Sequence, residues 1–162
     1  MDYTSFNRRM IVAVHLLLGF QYLLGGLNWW FKIFPFPNFF DVPTGPGKHA
    51  VLDAMISTGW MFTSAKIIEL LTGLALIFRR YVPLMLVVSF PVALATFLID
   101  AMIFNDMIAW FRGEVSGAFF WSKIMDLIFF GGAVITMQVY LMIAYFHHYS
   151  PMLASKAEAR VP

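Results

Sequence analysis

Cysteine is absent from the 162 residues, and charge is scarce: 12% of the chain is Asp, Glu, Lys or Arg, about half of what a soluble domain carries. The missing cysteines exclude disulfides, Cys-ligated zinc, iron–sulfur clusters and thiol redox chemistry. The missing charge leaves no room for a soluble catalytic domain. A net charge of +2, scattered along the chain, excludes nucleic acid as a partner. There is no internal repeat and no low-complexity tract. No nucleophile–base arrangement, phosphate loop or metal spacing appears. Lys66-Ile-Ile-Glu69 is not a metal motif, and the Glu-x-x-His pair of di-iron bundles is missing.

What is present is oil. Hydrophobic residues make up 60% of the chain and aromatics 18%, with a mean hydropathy of +0.76. The apolar runs reach the length of about 20 residues that a bilayer-crossing helix needs. Backbone in lipid must satisfy its own hydrogen bonds, so these runs are helices. The expected fold is an all-α integral membrane four-helix bundle, one domain over 1–162, with spans at about 11–31, 55–78, 82–104 and 119–146. Pro91 should kink the third span. The fourth is longer than a perpendicular crossing requires. "NRRM" precedes a long apolar stretch with no small-residue cleavage site, which reads as a retained span and not a removed signal.

Arg8, Arg9, Arg79, Arg80, Lys156 and Arg160 fall on one side of the spans. Lys32, Lys48, Arg112 and Lys123 fall on the other. The bias places both termini in the cytoplasm. Trp29, Trp30, Trp60, Trp110 and Trp121 cluster at the opposite, non-cytoplasmic ends as an aromatic belt. The stretch "GGLNWWFKIFPFPNFFDVPTGPG" (25–47) is too proline-rich for a helix and too apolar for water. An interfacial Phe/Pro-rich loop between the first two helices, lying over the outer mouth of the bundle, satisfies both constraints. His49 to Asp53 then leads into the second span.

Ionisable groups inside spans are costly, and function is their default explanation. At about 1.5 Å per helical residue, Asn28 lies ~28 Å above Arg9, Lys66 ~20 Å above Arg79, Asp100 ~27 Å above Val82 and Asp126 ~31 Å above His147. Four helices thus bring polar groups to the outer half. Glu69 shares a face with Lys66 at i, i+3. Gly25–Gly26 on the first helix and Gly131–Gly132 on the fourth fall at similar depth and, by letting helices approach closely, would close the bundle beside the cluster. The expected site is an outer-leaflet pocket of Asn28, Lys66, Glu69, Asp100 and Asp126, walled by Trp29, Trp30 and Trp121. It suits a molecule with a polar head and an apolar body, such as a quinone or a lipid. The alternative is an internal salt-bridge network that fixes helix register, with Lys123 pairing Asp126. Haem is disfavoured, because His15 and His147 differ in depth by more than a turn. Gln21 and Gln138 read as interhelical glue.

"LLGGLNWWFKIFPFP" (23–37), "KIIELLTGLALIFRRYVPLMLVVSFPVAL" (66–94) and "YFHHYSPML" (145–153) together resemble the DoxX/DoxX-like family of small four-span membrane proteins. The loop holding "WFRGEVSGAFFW" (110–121) is longer than in short members. The resemblance implies a helical bundle associated with redox membranes; relatives include the small subunit of a quinol oxidase and thiosulfate:quinone oxidoreductase. Asn28, Lys66 and Glu69 match the family's polar pattern. The expectation is a subunit or accessory protein of a membrane redox system in the bacterial cytoplasmic (inner) membrane, partnered by lipid and by a larger complex or further copies of itself. The alternative is a non-catalytic structural or assembly subunit. A small transporter is a third reading, against which four spans without an inverted repeat weigh.

Overall fold

The computed structural model describes residues 3–33, 46–114 and 116–149. Every element among them is helical. α1 spans Tyr3–Phe31, α2 Pro46–Ser57, α3 Met61–Phe78 and α4 Val82–Asp100. α5 (Ile103–Phe111) and α6 (Gly117–Asp126) come next, and a π-helical turn at Leu127–Gly132 joins α6 to α7 (Ala133–Ala144). The short α8 is Phe146–Tyr149. Four segments are long and apolar enough to cross a membrane: Asn7–Phe31, Met61–Phe78, Val82–Asp100 and Gly117–Ala144. The Phe/Pro-rich loop expected at 34–45 lies outside the described residues.

The boundaries differ from the sequence expectation in two places. The second span does not begin at Met55. α2 is a separate helix opened by Pro46, where the missing N–H costs nothing, and it ends before Gly59, which takes a φ of +76°. The third span stops at Asp100 rather than Phe104, and α5 starts anew after a two-residue turn. Pro91 lies within α4, which stays helical on both sides of it.

The bundle is held by close backbone approach and by polar ties. α1 packs on α3 where Gly19 faces Gly73: a Cβ on Gly73 would lie 2.9 Å from the Gly19 carbonyl oxygen and from the Leu23 nitrogen. Small residues permit such contacts between membrane helices, where dispersion replaces the hydrophobic effect as the attraction. Val14, Leu18, Tyr22, Leu76, Leu86 and Leu141 form the buried core. Val14, Leu18 and Tyr22 recur on α1 at four-residue steps, which is one helix face. Most other large apolar side chains point outward, including Leu17, Phe20, Leu71, Leu84 and Ile143. A surface this oily suits lipid and not water.

Gln138 is fully buried and ties three helices. It accepts the Tyr22 hydroxyl from α1 and donates to the Leu86 carbonyl at 2.8 Å and to Ser89 Oγ at 3.0 Å on α4. This is the interhelical role expected of it. At the Arg79 turn, α3 ends in a left-handed residue, φ 54°. The Arg79 and Arg80 N–H groups fold back onto the Leu76 and Ala75 carbonyls, the usual way of closing a helix C-terminus. Tyr149 of α8 donates to the Pro83 carbonyl at 2.9 Å. Burial raises its phenol's pKa, which keeps the donor proton in place.

Candidate functional site

α1, α2, α3, α4 and the π turn surround a cavity of about 380 Å³, within the range of about 300–1,000 Å³ typical of small-molecule sites. Its polar lining holds two ion pairs. Lys66 Nζ donates to both oxygens of Glu69, at 2.9 and 2.8 Å. Lys48 Nζ donates to Asp100 Oδ1 at 2.7 Å. All four side chains are at most 15% exposed. The walls between them are apolar, with Phe62, Met55, Met61 and Pro91 among them.

Local structure places each group. Gly25 on α1 leaves the space that the Glu69 carboxylate fills, since a Cβ there would stand 3.0 Å from Oε2. Gly131 does the same for Asp100: a Cβ would meet Oδ2 at 2.6 Å and the Phe97 Cα at 3.0 Å. The two glycine pairs therefore make room for carboxylates and for α3 and α4. The close approaches are thus between α1 and α3 at Gly26 and between the π turn and α4 at Gly131. The π turn contributes backbone groups that a regular helix would keep within its own ladder. The Gly131 N–H donates to Asp100 Oδ2 at 3.0 Å, and the Phe129 carbonyl accepts from Gln21 Nε2 at 2.7 Å.

Of the residues expected at the site, Lys66, Glu69 and Asp100 line this one cavity. Asn28 is buried one turn beyond Gly25 on α1 but is not part of the lining. The side chain of Asp126 lies outside the described residues. Trp30 and Trp121 do not wall the cavity. They are 49% and 59% exposed and face away from the bundle, because an indole gains more from a lipid–water boundary than from a closed interior. Trp29 stands behind the wall: it packs edge-on against Phe62 at 4.8 Å and carries the Lys32 ammonium 4.0 Å over its ring.

Lys48, Gln21, Tyr22 and Phe62 belong to the lining, though the sequence alone does not mark them as site residues. Lys48 has the look of a loop charge. The signal that corrects this is Pro46, a helix-start residue two positions earlier. Among the described residues there is no cluster of three metal-ligating side chains. His15 is buried, with Nδ1 donating to the Ile11 carbonyl at 2.7 Å and Nε2 beside the Tyr145 hydroxyl at 3.2 Å.

Among the described lining residues, two ammonium groups stand against two carboxylates. Lys66 has three donor hydrogens, and two go to Glu69. The third has no hydrogen-bond acceptor among the described residues, and the Phe62 ring centroid lies 5.1 Å from Nζ. Such a chamber can take an uncharged head with carbonyl or ester oxygens, and an apolar body along Phe62 and the methionines. Comparison with family models, curated proteins and solved structures gives no significant match for this chain.

Proposed function

We propose that this chain is a membrane protein that binds a quinone-like or lipid molecule in the Lys48/Lys66 cavity, as a DoxX-like subunit or accessory protein of a redox membrane. The observation that carries the reading is the setting of the Lys66–Glu69 and Lys48–Asp100 pairs in the wall of an otherwise apolar chamber, ammonium against carboxylate. A neutral acceptor enters such a site without unbalancing it. A charged head would leave a buried charge uncompensated. The DoxX-like motifs add the redox setting and the bacterial cytoplasmic membrane. The arginines at Arg8, Arg9, Arg79 and Arg80 support cytoplasmic termini, and in that orientation the cavity belongs to the outer half of the bilayer. The partners of the reading are lipid and a larger complex or further copies of the chain.

One observation favours the competing reading, an assembly subunit whose ion pairs only lock its own helices. Each cavity ammonium lies within 2.9 Å of a carboxylate, as a self-contained network requires. The two readings separate on purification in mild detergent, solvent extraction and mass measurement. The binding reading expects an apolar molecule with carbonyl or ester oxygens at near-equimolar ratio. Glu69→Gln should lower its occupancy by about tenfold, because the amide leaves Lys66 an unneutralised buried cation. The paired change Lys66→Met with Glu69→Leu removes both charges, should keep the fold, and should also lose the molecule. A chain that carries no small molecule and instead retains a stable protein partner identifies the assembly subunit.

A further inference from the structure

A second cavity lies toward the other end of the molecule, its α1 lining running from about 15 to about 27 Å along the helix from Gly25. It is lined by Asn7, Arg8, Ile11, Val12, His15, Arg79 and Tyr145. Its chemistry is the opposite of the first. Among the described residues no carboxylate contributes to the lining, while two guanidinium groups do. Neither arginine takes part in an ion pair among the described residues.

The other polar groups here are already engaged in ways that leave this positive charge standing. A carbonyl can only accept, so His15 Nδ1 carries a hydrogen toward Ile11. Nε2 pairs with the Tyr145 hydroxyl at 3.2 Å. Both ring nitrogens of His15 are thus engaged, and the side chain is 1% exposed. Asn7 Oδ1 accepts the Tyr140 hydroxyl at 3.2 Å, which turns the donor end of its amide free for a ligand. Arg79 is the left-handed residue that closes α3, φ 54°. That closure fixes where its side chain leaves the backbone.

We propose that this cavity binds a phosphate group, carried by an anionic phospholipid or free in solution, between the guanidinium forks of Arg8 and Arg79 with the Asn7 amide as a third donor. Planar guanidinium groups match phosphate oxygens in pairs, which a single ammonium cannot do. Basic pockets between membrane helices are known receptors for lipid headgroups in general. The site is independent of the Lys48/Lys66 cavity and goes beyond the function proposed for it.

The test uses the delipidated full-length chain in an uncharged detergent, titrated calorimetrically with short-chain phosphatidylglycerol, short-chain phosphatidylcholine and inorganic phosphate. Phosphatidylglycerol should bind more tightly than phosphatidylcholine. The double change Arg8→Gln with Arg79→Gln should weaken it by about tenfold or more. Arg9→Gln with Arg80→Gln removes the same charge from the neighbouring positions outside the lining, and should weaken it by less than about threefold. Equal losses in the two doubles would mean diffuse surface charge and overturn the proposal, as would equal affinity for the two lipids. Inorganic phosphate that displaces the lipid at matching concentration identifies free phosphate as the ligand; lipid binding that phosphate does not disturb identifies the headgroup. Should the first double fail to fold, Arg79→Lys carries the test. It keeps the charge but not the fork and should lose about threefold or more, whereas unchanged affinity overturns the proposal.

Discussion

Thr72 holds the one buried side-chain polar atom without a hydrogen-bond partner among the described residues. Other hydroxyls in these helices settle on the carbonyl one turn back: Thr63 on Gly59, Ser89 on Met85, Thr96 on Val92. Thr72 does not, and its desolvated oxygen destabilises the fold. Thr72→Val keeps the shape and removes that cost, so its unfolding midpoint in detergent should rise, by about 1 kcal/mol of stability. A fall would show that the hydroxyl has a partner after all. The neighbouring Gly73→Ala should do the reverse. Its Cβ meets backbone on α1, which cannot rotate away, and overpacking of this kind costs about 1–3 kcal/mol. Residues of this sort are invisible in the sequence, since a helical threonine normally satisfies itself. Lys66, Glu69 and Asp100 are legible for the opposite reason: a charge inside an apolar run has no cheap place to go.

The four long helices are legible as elements because twenty apolar residues in a row have few other fates. α2 is not. Lys48, His49 and Asp53 break its hydrophobic pattern, and the prolines before it read as loop. Its hold on the bundle includes the Lys48–Asp100 pair, while the Thr58–Gly59–Trp60 turn joins it to α3. Removing one partner of a buried pair is costly because the other is left charged and alone. Lys48→Met should therefore loosen α2, seen as faster backbone hydrogen exchange across 46–57, with α1 and α3 unchanged where Gly19 meets Gly73. Exchange that is unaffected in α2 would assign its hold to apolar packing alone.

Across the whole molecule the two cavities differ in charge and share no lining residue. Sites this far apart couple weakly, and their substitution energies should add. Arg8→Gln with Arg79→Gln should leave the molecule extracted from the Lys48/Lys66 cavity at its original stoichiometry. Glu69→Gln should leave phosphatidylglycerol affinity within about twofold. A loss that crosses from one end to the other would reveal a conformational link through the core. The sequence discloses the polar end of this arrangement and the direction of its charge bias. It does not disclose the basic chamber, because Arg8 and Arg79 are 71 positions apart in the chain and only the α1–α3 packing makes them neighbours.

The π turn at Leu127–Gly132 sets the angular phase of everything on its N-terminal side. One surplus residue wound into a helix rotates the half before it by about 100° relative to the half after it. Without it, the half carrying Phe120 and Lys123 would swing a quarter-turn or more around the axis, and those buried side chains would be presented to the bilayer. Deleting a single position within 127–132 would thus leave hydropathy and length almost untouched while re-aiming an entire half-helix.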